Sequence, residues 1–171
     1  ETQALTISNE GGSDLEWALD IQETDTSRST VTFTKEDWAD WTLEENQDRI
    51  TDNVWITRGD CCPIFNAYYS DGGHDDEYNS PYEEWAIGSI DSIGSLYFSN
   101  FINIFQHQIG YQMEHWIIPD NQPMVLHLIE EDIYLEVQFH SWTMGEGGPR
   151  GGGGFSYTRT TASPNWLDIS E

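Results

Sequence analysis

The run Asp71-Gly72-Gly73-His74-Asp75-Asp76-Glu77 packs oxygen ligands and glycines closely together. Hard cations such as Ca²⁺ are held by carboxylate and carbonyl oxygens on a backbone that bends tightly, which makes Asp71, Asp75, Asp76 and Glu77 candidate metal ligands. Their order is not the D-x-[DN]-x-[DN]-G of an EF-hand, and a solvated acidic loop has the same composition. Glu130, Glu131 and Asp132 offer further oxygens, as do Glu36, Asp37, Asp40, Glu44, Glu45, Asp48 and Asp52. The histidines His74, His107, His115, His127 and His140 fall into none of the HxH, HxxxH or HExxH spacings of a transition-metal site.

Nucleophilic and phosphate chemistry have no matching pattern. Gly94-Ser95 lacks the G-x-S-x-G frame of a nucleophile elbow, and the glycines of residues 145–154 are interrupted by Pro149 with no helical pattern after them. A glycosidase needs only two suitably spaced carboxyls, but among 31 acidic residues no pair stands out, so no enzyme activity is expected. Cys61 and Cys62 are adjacent, and a disulfide between neighbours closes a strained ring. The pair is expected either to cross-link another copy or to stay as free or vicinally oxidised thiols. Arg58-Gly59-Asp60 reads as a strand end and turn. Trp38, Trp41, Tyr111 and Trp116 are candidates to stack on sugar rings, with core packing as the alternative for each.

The elements that must position these residues belong to a strongly acidic chain of 171 residues with a formal net charge of −25, in which Lys35 is the only lysine. Such a surface repels nucleic acid and anionic membrane, leaving cations, neutral polymers and other subunits as partners. With 8 Trp, 8 Tyr and 7 Phe the chain has ample material for a core. No apolar run approaches the roughly 18 residues of a membrane span, so no membrane insertion is expected. The start at Glu1, without Met or a signal-like stretch, suggests a mature exported form or a cut-out domain.

Short alternating runs separated by turn residues predict an all-β chain, an antiparallel β-sandwich of jelly-roll type. Strands are expected at residues 31–34, 53–58, 84–90, 95–101, 124–129, 133–142 and 155–161, with a further short run at residues 65–69 after the double Cys and residues 101–116 at near-helical spacing. A turn at Glu131-Asp132 would pair Leu128 with Leu135 and set His127 opposite Glu136. Trp38, Trp41 and Leu43 are expected to anchor the acidic stretch of residues 36–52. Residues 1–21 read as a hairpin on a polar tether, giving a boundary between residues 1–30 and a sandwich domain of residues 31–171.

The segment Leu5-Thr6-Ile7-Ser8-Asn9-Glu10-Gly11-Gly12-Ser13-Asp14-Leu15-Glu16-Trp17 resembles the strand pair of immunoglobulin-like ASH-type repeats in secreted bacterial proteins. Residues 31–161 are similar to a module of large secreted proteins from Bacteroidota-like bacteria. That similarity is carried by Ile50-Thr51-Asp52-Asn53-Val54-Trp55-Ile56-Thr57-Arg58, Glu84-Trp85-Ala86-Ile87-Gly88, Met124-Val125-Leu126-His127-Leu128-Ile129 and Gly153-Gly154-Phe155-Ser156-Tyr157. It implies an exported, extracellular, β-rich module and no particular activity. Cys61-Cys62, and a longer, more aromatic stretch at residues 102–118, depart from that pattern.

The resulting expectation is an extracellular structural protein that self-associates into a homopolymer. Its N-terminal hairpin would insert Leu5, Ile7, Leu15, Trp17, Leu19 and Ile21 into a neighbour by strand addition, helped by Ca²⁺ or another divalent cation. The alternative is a monomeric carbohydrate-binding or adhesion module using the four aromatic candidates.

Overall fold

The computed structural model describes residues 29–60, 63–70, 79–108, 122–143 and 152–162. The N-terminal hairpin anchors, Cys61 and Cys62, the ligand run 71–77, Tyr111 and Trp116 lie outside the described residues.

Two antiparallel sheets form the fold, which is all-β and sandwich-like. The larger contains β1 (Thr30–Lys35), β5 (Glu83–Ile87), β6 (Met124–Leu128), β7 (Ile133–Trp142) and β8 (Phe155–Thr160), in the order β1-β8-β7-β6-β5. The smaller contains β2 (Asp48–Arg49), β3 (Trp55–Arg58) and β4 (Ile64–Asn66), in the order β2-β3-β4. Side chains alternate across each strand, so Leu126, Leu135, Val137, Phe139, Phe155 and Tyr157 all reach one face of the larger sheet and are buried there. Val54, Ile56 and Ile64 of the smaller sheet belong to the same core cluster.

A short helix, α1 (Phe101–Gln108), closes one side of this core. Asn100 accepts the Asn103 N–H on its side-chain oxygen at 2.8 Å, an N-cap that starts the helix. Phe101 and Ile104, three positions apart, then share a buried face, with the Phe101 ring edge-on to Trp85 at 5.1 Å. This corrects the strand expected at residues 95–101. Only Ser99 pairs, exchanging both backbone hydrogen bonds with Trp85 at 2.7 and 3.0 Å, before the Asn100 cap turns the chain helical.

Buried ionic groups join the sheets. Arg159 on β8 donates from Nε and Nη2 to Asp48 on β2 at 2.7 and 2.8 Å, and the Tyr157 hydroxyl donates to the same carboxylate at 2.6 Å. Burial pushes the Tyr157 phenol well above its ordinary range, and the adjacent carboxylate adds to that shift. Lys35, the lone lysine, is buried at the end of β1, where burial lowers its ammonium and Asp60 opposes that effect. Arg58 is also buried. It stacks 3.7 Å over Trp142 and donates to the Thr143 carbonyl at 2.8 Å, so Arg58-Gly59-Asp60 closes a strand and does not present its arginine to a partner. At the same end Gly153, with φ +68, lies so close to Gly59 that a Cβ there would come within 2.1 Å of the Gly59 carbonyl oxygen.

Two expectations about packing need correction. The β6–β7 hairpin turns over residues 129–132, with Asp132 in the left-handed region at φ 52, so Leu128 pairs with Ile133 and Leu126 with Leu135. The slip from the expected register is two residues, which preserves the faces but places His127 opposite Tyr134 instead of Glu136. His127 instead meets Glu84 of β5 at 2.8 Å and Asp132 at 3.1 Å, with its ring stacked on Tyr134 at 4.0 Å. In the acidic stretch only Trp41 packs as an anchor, edge-on to Phe65 at 5.2 Å. Trp38 and Leu43 are 60% and 45% exposed.

Candidate functional site

The outer face of the smaller sheet carries a run of aromatic rings. Trp55 on β3 points outward because its neighbours Val54 and Ile56 point into the core. Opposite it on β2, the Arg49 guanidinium lies 4.1 Å from the Trp55 ring centre and is held sideways by Gln47 at 3.0 Å and Glu44 at 3.1 Å. The Tyr68 ring packs edge-on to Trp55 at 5.3 Å and to Tyr82 at 5.5 Å, and Tyr69 meets Tyr82 at 6.3 Å. Trp55, Tyr68, Tyr82 and Tyr69 thus form a continuous ridge, and Tyr68 and Tyr69 are 48% and 46% exposed. Edge-to-face contacts of this kind suit the ring quadrupoles and hold neighbouring rings in fixed relative positions.

One buried amide organises the ridge from below. Asn66 ends β4, and its side-chain oxygen accepts the Trp55 N–H at 2.9 Å and the Tyr68 N–H at 3.1 Å. Its nitrogen donates to the Asn53 carbonyl at 2.8 Å and to Glu83 Oε2 at 2.9 Å. The turn that presents Tyr68 and Tyr69 folds back on the same residue, since the Tyr69 and Ser70 N–H groups both donate to the Asn66 carbonyl. Asn66 is fully buried with its amide donors and acceptor engaged, the condition under which a buried polar group stabilises and does not cost.

Glu83 opens β5 and is buried beside this amide. Its carboxyl receives the Asn66 amide and the Ser80 hydroxyl, and Ser80 in turn accepts the Tyr82 N–H at 3.2 Å. Burial pushes the Glu83 carboxyl up to about 7, although the Ser80 and Asn66 hydrogen bonds pull it down. The site is therefore an aromatic ridge, exposed at Tyr68 and Tyr69 and partly buried at Trp55 and Tyr82, resting on a neutral amide and hydroxyl network that ends in one titratable carboxyl.

The residues singled out from sequence are distributed differently. Trp38 is exposed in a left-handed backbone conformation at φ 63, tied to Gly152 by its N–H at 2.8 Å, and joins no ring pair among the described residues. Trp41 is partly buried and packs edge-on to Phe65. Among the described residues no three His, Cys, Asp or Glu side chains converge as a metal set. Asp48 is committed to Arg159, and Asp37 accepts the Gly154 N–H and the Thr143 hydroxyl. A separate cleft of about 230 Å³ lies on the larger sheet, with Thr30, Ile90, Glu136 and Gln138 among its walls, and no aromatic ring lines it among the described residues. The ridge itself escaped the sequence reading. The available signal was Trp55 alternating with Val54 and Ile56, followed by Tyr68-Tyr69 directly after a strand.

No family model, curated protein or solved structure matches this chain.

Proposed function

We propose that this chain is a non-catalytic extracellular binding module that takes a neutral polysaccharide on the ridge formed by Trp55, Tyr68, Tyr69 and Tyr82. The observation that carries the reading is the contiguity of these rings, with two tyrosines about half exposed on a chain whose charge of −25 excludes anionic polymers. Sugar rings present flat C–H faces bordered by hydroxyls. A tyrosine offers the complement, an apolar ring with a hydrogen-bonding tip, and Arg49 and Glu44 extend the polar edge. The extracellular location rests on the sequence resemblance, and a role for Ca²⁺ rests on the composition of residues 71–77 alone.

Affinity electrophoresis through gels containing soluble β-glucan, xylan or mannan tests the proposal. Retardation by at least one polymer is expected, weakened about tenfold or more in Tyr68→Ala, as for an aromatic at the centre of an interface. Trp38→Ala should migrate as wild type. No retardation in any polymer, or loss in Trp38→Ala but not in Tyr68→Ala, overturns the assignment.

A second reading, head-to-tail assembly by strand addition, has its own supporting observation. Strand β1 is an edge of the larger sheet, and residues 30–34 hold neither a charge nor a proline to protect it, whereas the β5 edge is partly closed by Ser99. Among the described residues nothing pairs with the outer side of β1, so a donor strand from residues 5–21 of another copy has a ladder to join there. The same segment attached to its own β1 has an effective concentration on the order of millimolar, which favours docking within one molecule and makes this the second reading. Size-exclusion chromatography with and without residues 1–21 decides, and a strictly monomeric full chain sinks it.

A further inference from the structure

We infer that Glu83 is a proton-controlled positioning residue for the aromatic ridge, so that the module binds its polysaccharide when this carboxyl is neutral and releases it when the carboxyl ionises. The inference rests on the polysaccharide reading of the ridge and adds its regulation.

Glu83 is 8% exposed, and among the described residues its side-chain partners are neutral: the Ser80 hydroxyl and the Asn66 amide. Across the strand pair it faces Leu128 of β6, while Glu84 and His127 lie on the opposite face of the sheet. Among the described residues, the other ionisable groups of the surrounding elements are the phenols of Tyr68 and Tyr82, Glu130 bonded to Asn53, and Arg49 outside Trp55. Among the described residues no cation is within ion-pair distance of the Glu83 carboxyl. Both neighbours donate to Oε2 and so favour the anion, but hydrogen bonds from neutral groups replace only part of the hydration that a buried carboxylate loses, and burial outweighs them.

Relief requires water or movement, and the route is short. Ser80 and Tyr82 are only partly buried, and the Ser80 hydroxyl is the group shared between Glu83 and the Tyr82 N–H. A shift that hydrates the carboxylate therefore displaces Tyr82, whose ring contacts both Tyr68 and Tyr69. Through Asn66 the same shift reaches the backbone N–H groups of Trp55 and Tyr68. Ionisation at one buried atom thus acts on all four rings of the ridge.

The test measures affinity for soluble β-glucan between pH 5.5 and 8.5 in wild type and Glu83→Gln, together with near-ultraviolet circular dichroism of the free proteins. Wild type should lose affinity by about fivefold or more from pH 6 to pH 8, within the usual range of coupling between two sites, and Glu83→Gln should stay flat at the low-pH value. A flat wild-type profile, or a variant that follows wild type, overturns the inference. If no polysaccharide binds at any pH, the binding reading fails, and the dichroism decides the rest. An aromatic transition near neutral pH that is lost in Glu83→Gln supports proton control of the ridge, and its absence in wild type overturns it.

Discussion

Asp48 and Glu83 are two carboxyls buried in one small protein, and the neighbours of each decide what it can do. Asp48 faces the forked guanidinium of Arg159 and the hydroxyl of Tyr157, with three hydrogen bonds of 2.6 to 2.8 Å. Glu83 faces an amide and a hydroxyl. A counter-ion in bidentate geometry fixes the charged state and so makes a latch between the sheets. Neutral partners leave the proton to decide the charge, which makes a group that responds to its surroundings. In a chain with 31 acidic and 6 basic residues counter-ions are scarce; Arg159 stands at Asp48, and among the described residues Glu83 has none.

Removing the latch partner should have the largest effect. Asp48→Asn leaves Arg159 buried without its anion and should destabilise the fold by about 3 to 5 kcal/mol, read as a drop in the urea midpoint at constant slope. Adding Arg159→Met to Asp48→Asn removes the orphaned charge and should recover much of that loss. If the double variant is no more stable than the single one, the cost lies in packing and Asp48 is no different in kind from Glu83.

Glu83 should respond in the opposite sense. Its folded value of about 7 lies above the ordinary 4.5, so its favourable contribution is complete below pH 4.5 and is lost as pH rises through 7. The difference corresponds to about 3 kcal/mol between pH 4.5 and pH 8. Glu83→Gln, which keeps the shape but cannot ionise, should gain on wild type over that interval and be the more stable protein at pH 8. Urea titrations of both proteins across the interval check this, and a constant difference would mean that Glu83 carries the same charge throughout.

Neither carboxyl could be assigned from sequence, although the faces of the strands could. The alternation of Met124, Leu126 and Leu128 against Leu135, Val137 and Phe139 identifies the core face of the hairpin whether the turn has two residues or four, because an even slip preserves faces. The register is less legible, since it depends on Asp132 entering the left-handed region. Pairing is less legible still. Asp48 and Arg159 are 111 residues apart, and in the sequence Asp48 is one acid among seven in residues 36–52. The ridge was hidden for a related reason: Trp55, Tyr68 and Tyr82 become neighbours only because Asn66 gathers Trp55, the turn and Glu83 around one amide. An isolated asparagine gives no hint of that in a linear reading.

Glu44 and Arg49 complete the series as an ion pair at the surface, with N–O separation 3.1 Å and the carboxylate side chain 75% exposed. Water already solvates both charges, so Glu44→Gln should change stability by less than about 1 kcal/mol, and high salt should remove even that. Its effect on the ridge is separable. Without Glu44 the Arg49 guanidinium keeps its Gln47 contact and its place over Trp55, so the salt dependence of stability should weaken while polysaccharide affinity changes about twofold or less. A larger loss of affinity would mean that the carboxylate itself meets the ligand, and the polar edge of the ridge would then extend to the turn that carries Glu44.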